Sequence, residues 1–272
     1  MKISVLLTSY NYQNYIIDTI KSVLTQTYKD FEFIIIDDCS NDDSVNVIKQ
    51  FDDERIKLVV NEKNLGLSKT LQKGIELAQG DWIAFLESDD MWDDTYLEKK
   101  IKISQKYPDV ALIFNDVNMF GDENQIKFLN SAFEQNLNKI KKYNYPRNLF
   151  FDICQFNSVL TFSSAFIKKE KLIEFTLNPP VDKVVDWWLF IHLSKIYDFY
   201  YIPEKLTNWR IHKNSYIYKK NKFLNIPINI YSLLDIFQKE KDIKLILFII
   251  YILFLTILRK LKNKILKINF MK

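Results

Sequence analysis

Glycine is scarce in this chain: 4 in 272 residues, alongside 6 prolines, 2 cysteines and 2 histidines. So little glycine and proline excludes collagen-like, linker-like and low-complexity readings. Gly66, Gly74, Gly80 and Gly121 cannot form Gly-x-Gly-x-x-Gly, and none precedes a Lys-Ser/Thr pair. Neither a dinucleotide fingerprint nor a phosphate-cradling P-loop is present. With only His192 and His212, a His-Glu-x-x-His zinc site is excluded, so a metal would be held by oxygen ligands. Cys39 and Cys154 make no metal-spaced pair and no disulfide framework, which fits free thiols in a reducing cytoplasm. A secretory signal is also missing: Lys2 leads into a short run, Ile3–Leu7, that Thr-Ser-Tyr-Asn ends.

What is present is apolar and aromatic, with 48% hydrophobic, 15% aromatic and 26% charged residues. That suffices for one large core or two modest lobes. The net charge of +4 is uneven: residues 240–272 carry +6 and the rest of the chain −2. A near-neutral body argues against a nucleic-acid partner, which calls for basic residues spread over a folded face. Within the tail, Leu245–Leu258 is 14 residues without a charge, apolar all round a helix. A comfortable membrane span needs roughly 20 residues. Three readings stay open: a helix docked on the body, a segment attached to the cytoplasmic leaflet, or a single short span. In the second, Arg259, Lys260, Lys262, Lys264 and Lys267 would meet anionic headgroups. The expected location is cytoplasmic, peripheral on the inner face of the cell membrane.

Apolar strands and helical patterns alternate through the first 115 residues. Strands are expected over Ile3–Leu7, Phe31–Ile36, Ile56–Val60, Trp82–Leu86 and 110–115. Helices are expected over 14–27, 44–51 and Leu67–Ala78. This order implies parallel βαβ units with right-handed crossovers, whose ligands bind beyond the carboxyl ends of the strands. Three strands end in polar clusters, Thr8-Ser9-Tyr10, Asp37-Asp38 and Asp89-Asp90, which should converge on one edge. From 116 to about 165 the pattern weakens, and a mobile or irregular acceptor-facing region is expected. A strand is expected over Thr161–Ile167 and a helix over Asp186–Ile196.

A single aspartate cluster at a strand end can simply cap a turn. Two on neighbouring sheet edges repel each other unless a cation or donor groups offset them. Hard oxygen ligands favour Mg²⁺ or Mn²⁺, which complete their shells with water and substrate phosphates. The chemistry therefore points to a metal–diphosphate site on an α/β sheet.

The residues then resemble a known family. Ser4–Asn11 through Tyr15-Ile16, Ser22–Tyr28, Ile34–Asp42, Asn64-Leu65-Gly66 with Gly74 and Gly80-Asp81, and Phe85–Asp90 are similar, in order and spacing, to the motifs of the family 2 glycosyltransferases. The resemblance is dense over 1–115 and sparse over 160–215. It implies an α/β GT-A fold, a mixed and mostly parallel sheet flanked by helices. Residues 1–115 would form its nucleotide-sugar half, 116–220 its acceptor half, and 221–272 a helical tail. It also implies transfer of a sugar from a nucleotide donor with inversion.

Matched by position, Thr8 and Tyr10 hold the nucleotide base, Asp38 accepts the N3–H of a uracil, and Asp89 contacts ribose or sugar. Asp90 is the metal ligand, for Mn²⁺ or Mg²⁺. Lys69 lies in a segment approaching base or diphosphate, and its match is loose. Glu87 replaces the more usual Asp, and Cys39 a common Gly. In the stretch matching the catalytic base, Val184–Leu189, Val185 replaces the first acid, leaving Asp186 as the base and Asp182 as its substitute. Trp209–Ser215 resembles the segment closing over the diphosphate, with Arg210 pairing phosphate and His212 ligating the metal or bonding phosphate. The implied partners are a nucleotide-sugar, a UDP-sugar by Asp38 and Tyr10, and a saccharide or polyprenyl-linked acceptor. GDP- or dTDP-sugar donors and a non-catalytic membrane-attached scaffold are the competing readings. A processive synthase is disfavoured because Gln-x-x-Arg-Trp is missing and Trp209-Arg210 runs in the reverse order.

Overall fold

The computed structural model describes residues 1–179, 182–213, 228–241 and 244–254. Four parallel strands build one half of a single sheet: β1 (Ile3–Ser9), β2 (Phe31–Asp37), β3 (Ile56–Val60) and β4 (Trp82–Glu87). The other half is mixed: β5 (Met91–Trp92), β6 (Leu112–Gly121), β7 (Phe166–Lys168) and β8 (Phe199–Ile211). The order is β3-β2-β1-β4-β7-β6-β8-β5. β7 runs antiparallel to β4 and β6, β8 parallel to β6, and β5 antiparallel to β8.

Continuous apolar runs suit strands covered on both faces. Side chains alternate along β1, so Leu6 enters one core and Val5 and Leu7 the other. Beneath Val5 and Leu7 lie α1 (Ile16–Leu24), α2 (Ser44–Ile48) and α4 (Tyr96–Lys106). On the Leu6 side lie α3 (Leu67–Leu77), α6 (Phe150–Gln155), α8 (Val185–Ile196) and α9 (Ile228–Glu240). Here α3 approaches so closely that a Cβ on Gly74 would collide with Leu6.

Two expectations are corrected. The stretch 116–165 is largely ordered: β6 continues to Gly121, and α5 runs from Glu123 to Ile140. Asp122 caps α5 through the N–H groups of Asn124 and Gln125. Its inner stripe, Ile126, Leu129 and Phe133, packs on Val117 and Trp209. Interspersed Asn124, Asn130, Asn136 and Asn138 and the exposed Phe128 obscure that spacing in the sequence. The strand expected over Thr161–Ile167 is instead a 3-10 turn at Phe162–Ser164, followed by β7. After it comes α7 (Lys169–Leu172).

The tail helix has two apolar faces. Leu245, Ile249 and Ile252 enter the core beside α6, α8 and α9, while Leu247, Ile250 and Phe254 are exposed. Among the described residues no helix is long and apolar enough to cross a membrane. Residues 255–272, with the tail's main basic run, lie outside those described.

Gly66 opens α3 at φ +86°, where a Cβ would strike the Asp182 carboxylate. Gly66→Ala is expected to lower the unfolding free energy by about 1–3 kcal/mol, read by urea denaturation. An unchanged midpoint would show that this corner relaxes freely.

Candidate active site

Register alone gathers the three polar clusters. Ser9 lies opposite Asp37, and Thr8 is flanked by Ile36 and Glu87, so the strand ends form one edge, as expected. The loops beyond β1 and β2 are then tied together. The Asn11 N–H donates to Ser40 Oγ (2.8 Å), Asn41 N–H to Asn11 Oδ1 (2.8 Å), and Gln13 N–H to Asp42 (3.1 Å). Asp37 is fully buried and fixes the turn through the Ser40 N–H and hydroxyl.

This leaves Tyr10 exposed at the rim, 42% accessible, with Thr8 half-buried beside it. Asp38 is buried: Oδ1 accepts from Asn61 Nδ2 (2.9 Å) and Leu65 N–H (2.8 Å), and Oδ2 from Gly66 N–H (2.9 Å). A carboxylate has about four lone-pair sites, so one remains for a further donor. Lys69 is exposed on α3 and lines a different cavity, with Lys73, Trp188 and His192.

The acidic cluster is built by β5. This two-residue strand follows Asp89-Asp90 directly and pairs with Thr207 and Asn208 of β8. The chain two residues further along β8 is thereby pressed over the acids. Arg210 N–H donates to Asp90 Oδ1 (2.9 Å), Arg210 Nε to the Asp89 carbonyl (2.9 Å), and Nη2 to Asp18 (3.3 Å). The guanidinium lies between the rings of Tyr15 and Phe120. Arg210 therefore holds the acidic turn in shape, and only part of its donor fork is left to meet a phosphate.

The structure also separates the two aspartates. Asp90, expected to be the metal ligand, is fully buried, with Oδ2 3.2 Å from the Thr161 hydroxyl. His212 Nε2 instead lies 2.8 Å from Asp89 Oδ2. Tyr15 packs against the His212 ring at 4.6 Å. The Thr161 hydroxyl also reaches Glu87 Oε2 (2.6 Å). One hydroxyl proton cannot serve both Glu87 and Asp90 at once.

The electrostatics follow. Burial, then the charges of Asp89 and Glu87, push the Asp90 carboxyl well up. Glu87 is reached by solvent but crowded by protein, and lost hydration and then Asp89 raise it too. The Tyr12 hydroxyl is raised by burial and by Asp89, Glu87 and Asp90 in turn. Beneath the cluster Lys100 is fully buried, its pKa lowered by lost hydration. Its Nζ donates to the carbonyls of Ile113 (2.9 Å) and Ser164 (2.8 Å), bracing the turn after Thr161.

Asp186 lies in the first turn of α8 and is not its cap, which falls at Val184. Burial raises its pKa to about 6, against the N–H groups of Trp187 and Asp186 itself and the Asn157 side chain. It is near enough to Glu87 to raise that carboxyl. Asp182 is turned elsewhere, accepting from Ser68 Oγ (2.6 Å) at the start of α3. Tyr12, Tyr15, Asn157 and Thr161 lie at the site, and the sequence reading gave none of them a role there. The repeated tyrosines after β1 were the available signal for the first two; the others come from loops without regular pattern.

A strand order of this kind, with an acidic cluster closing β4, is the architecture of a GT-A glycosyltransferase. The chain belongs to glycosyl transferase family 2, whose family model matches residues 4–166. TuaG of Bacillus subtilis, whose name places it in teichuronic acid biosynthesis, is 30% identical over 78% of this chain and 80% of its own. WfgD of Escherichia coli, a UDP-Glc:α-D-GlcNAc-diphosphoundecaprenol β-1,3-glucosyltransferase, is 38% identical over 38% of this chain and 41% of its own. Among solved structures, S. aureus TarS 1–349 with UDP-GlcNAc superposes with a TM-score of 0.63 at 15% identity, covering 86% of this chain and 67% of that one. In the TarS structure with UDP the match spans 61% of that chain. The mannosyltransferase PcManGT of Pyrobaculum calidifontis with GDP-Man and Mn²⁺ gives 0.60 at 17% identity, covering 79% of this chain and 58% of that one.

Among the described residues, no three His, Cys, Asp or Glu side chains form a ready-made metal group. The donor set still fits a divalent ion that takes most ligands from phosphate and water. Asp89 and His212 present one oxygen and one nitrogen together. With Mn²⁺ and UDP present, the melting temperature should rise. Asp89→Ala or His212→Ala should abolish the rise; a full rise in both would move the ion elsewhere.

Proposed function

We propose that the protein is a non-processive, inverting glycosyltransferase. It would move a hexose from a UDP-sugar to a saccharide or lipid-linked saccharide during assembly of a bacterial surface polysaccharide. The observation that carries the reading is the position of Asp186, half-buried in the first turn of α8 beside the acidic cluster, where lost hydration raises its carboxyl to about 6. A carboxylate with that pKa is ionised near neutrality yet basic enough to take a proton.

The roles follow from the side chains. Asp186 accepts the acceptor hydroxyl's proton as its oxygen attacks the anomeric carbon from the face opposite the leaving diphosphate. The transition state has oxocarbenium character, and an α-linked donor gives a β-linked product. Tyr10 supplies an exposed ring for the base, and Asp38 retains one acceptor site for a uracil N–H. Asp89 and His212 would hold Mn²⁺ or Mg²⁺, which when bound supplies positive charge beside the diphosphate. Arg210 adds its own charge and keeps Asp89 in place. Support for uridine comes from UDP and UDP-GlcNAc in the TarS structures and from the donor in WfgD's name. GDP-Man in PcManGT keeps a guanosine donor as the second reading.

Attachment to the inner face of the membrane is part of the proposal. The exposed Leu247, Ile250 and Phe254 form the outer face of the tail helix, with the basic run of 259–267 following. Binding to vesicles containing anionic lipid should be lost when these three residues become Ser, with the melting temperature retained. Persistent sedimentation of that variant with vesicles would refute the attachment.

The reaction is tested by UDP release from a panel of UDP-sugars with Mn²⁺. Release from one donor is expected, with kcat reduced about 10²–10⁴-fold in Asp186→Asn. Since Asp186 must be ionised to act and its pKa is raised, kcat/KM should fall about tenfold per pH unit below about 6. An acid limb near 4, or full activity in Asp186→Asn, would exclude Asp186 as the base.

A further inference from the structure

Phe151 is 61% exposed, although its neighbours on α6, Phe150, Ile153 and Cys154, are buried in the core. It has no part in the site described above. The helix that carries it belongs to the body: the Trp187 indole N–H donates to the Ile153 carbonyl (2.8 Å), which bonds α6 to the residue after Asp186.

The Phe151 ring continues the outer face of the tail helix. Its centroid lies 4.9 Å from that of the half-buried Phe248, with the rings at a right angle, and Phe248 lies 6.3 Å from Tyr251. Lys244, Leu247, Tyr251 and Phe254 follow one another at spacings of three and four, so they share a side of that helix, and all four are exposed. Phe151, Phe248 and Tyr251 therefore carry the exposed apolar surface across from the tail onto the body as one aromatic ridge. Single apolar side chains on a surface call for no explanation, whereas a contiguous set marks an interaction surface.

Charge selects the partner. Lys139 and Arg147 lie over the Tyr143 ring, 5.9 and 3.9 Å from its centroid. Lys139 Nζ and the Tyr143 hydroxyl both donate to Asp152, the residue after Phe151 (2.7 and 3.0 Å). Lys195 lies over the Phe150 ring at 5.7 Å. With Lys244, four cations stand beside the ridge. A second copy joined through this face by a two-fold axis would bring those cations toward their own images, together with two tails of +6 each. An anionic bilayer meets them with the opposite charge. Aromatic rings settle at the headgroup level, and lysine and arginine stems lie along apolar surface while their heads reach phosphate.

We propose that the ridge Phe151–Phe248–Tyr251 seats the catalytic body itself on an anionic membrane surface, so that the protein lies against the bilayer in one orientation instead of hanging from its tail. The proposal rests on the membrane attachment read above and adds to it a second contact, on α6.

The test is sedimentation of the full chain with vesicles of phosphatidylglycerol and phosphatidylcholine. Phe151→Ser should weaken binding about tenfold, with the melting temperature and UDP release in solution unchanged. Lys195→Gln should weaken it about fivefold. A nitroxide on Phe151→Cys, in a chain also carrying Cys39→Ser and with Cys154 buried, reads the contact directly. On vesicle binding it should become shielded from a water-soluble nickel chelate, and this readout stands if Phe151→Ser fails to fold. If Phe151→Ser binds as the unaltered chain does and the nitroxide stays in water, while Ser at Leu247, Ile250 and Phe254 abolishes binding, the tail attachment stands and the ridge contact is overturned. An unaltered chain that does not sediment with vesicles overturns both. A lipid-free dimer that Phe151→Ser dissociates assigns the face to a second copy and overturns the bilayer as its partner.

Discussion

Mutual repulsion among Glu87, Asp89 and Asp90 is the constraint around which the molecule is arranged. Glu87 and Asp90 lose hydration as the chain folds over them, and the neighbouring Asp89 charge raises the cost of ionising both. Natural strand ends avoid such crowding unless something offsets it. Here the offsets are a backbone N–H and the Ser163 hydroxyl on Asp90, the Thr161 hydroxyl between Glu87 and Asp90, an imidazole on Asp89 and the Arg210 guanidinium on the Asp89 carbonyl. They leave Glu87 and Asp90 harder to ionise than ordinary carboxylates. In the proposed reaction a nucleoside diphosphate would add negative charge here, and a divalent cation arriving with it would offset that charge.

Holding repelling groups in place requires a stiff frame, and β8 provides it. Its long pairing with β6 carries Arg210 and His212 across the site, and the short β5 fastens the acidic turn to it. Pro203 and Glu204 fall where the register slips between Asn115 and Asp116, so the proline occupies a bulge and removes no ladder bond. Lys100 completes the frame from below, its ammonium hydrogens directed at two carbonyls inside the protein. Arg210 acts chiefly within this frame.

The parallel half was legible because its signals are local. Apolar runs ending in Thr8, Asp37-Asp38 and Glu87–Asp90 mark strands and site together, and register then aligns them without further information. The second half was less legible because its strands are specified by pairing. β8 holds Pro203, Glu204 and Lys205 within its span and reads as a loop unless β6 is known to lie beside it. Helix α5 was hidden by its asparagines, although Asp122 and the 126–129–133 stripe were present. Within the site, residues that follow an apolar strand directly, such as Asp38 and Asp89, could be named, but which aspartate faces His212 depends on the pairing of β5 with β8, far away in sequence. Thr161 and Asn157 sit in irregular chain and gave no periodic signal at all.

The tail helix explains its own composition. An amphipathic helix docked on a body needs one apolar stripe, whereas this one is apolar all round. Leu245, Ile249 and Ile252 satisfy the docking requirement against α6, α8 and α9, leaving Leu247, Ile250 and Phe254 unexplained by packing. The inner stripe cannot be dispensed with, because it shares a core with Leu189 and Leu193 of the helix that carries Asp186. His192 strengthens the same junction through Asp235 of α9. The tail helix and the helix that carries Asp186 are thereby joined through one set of packed side chains.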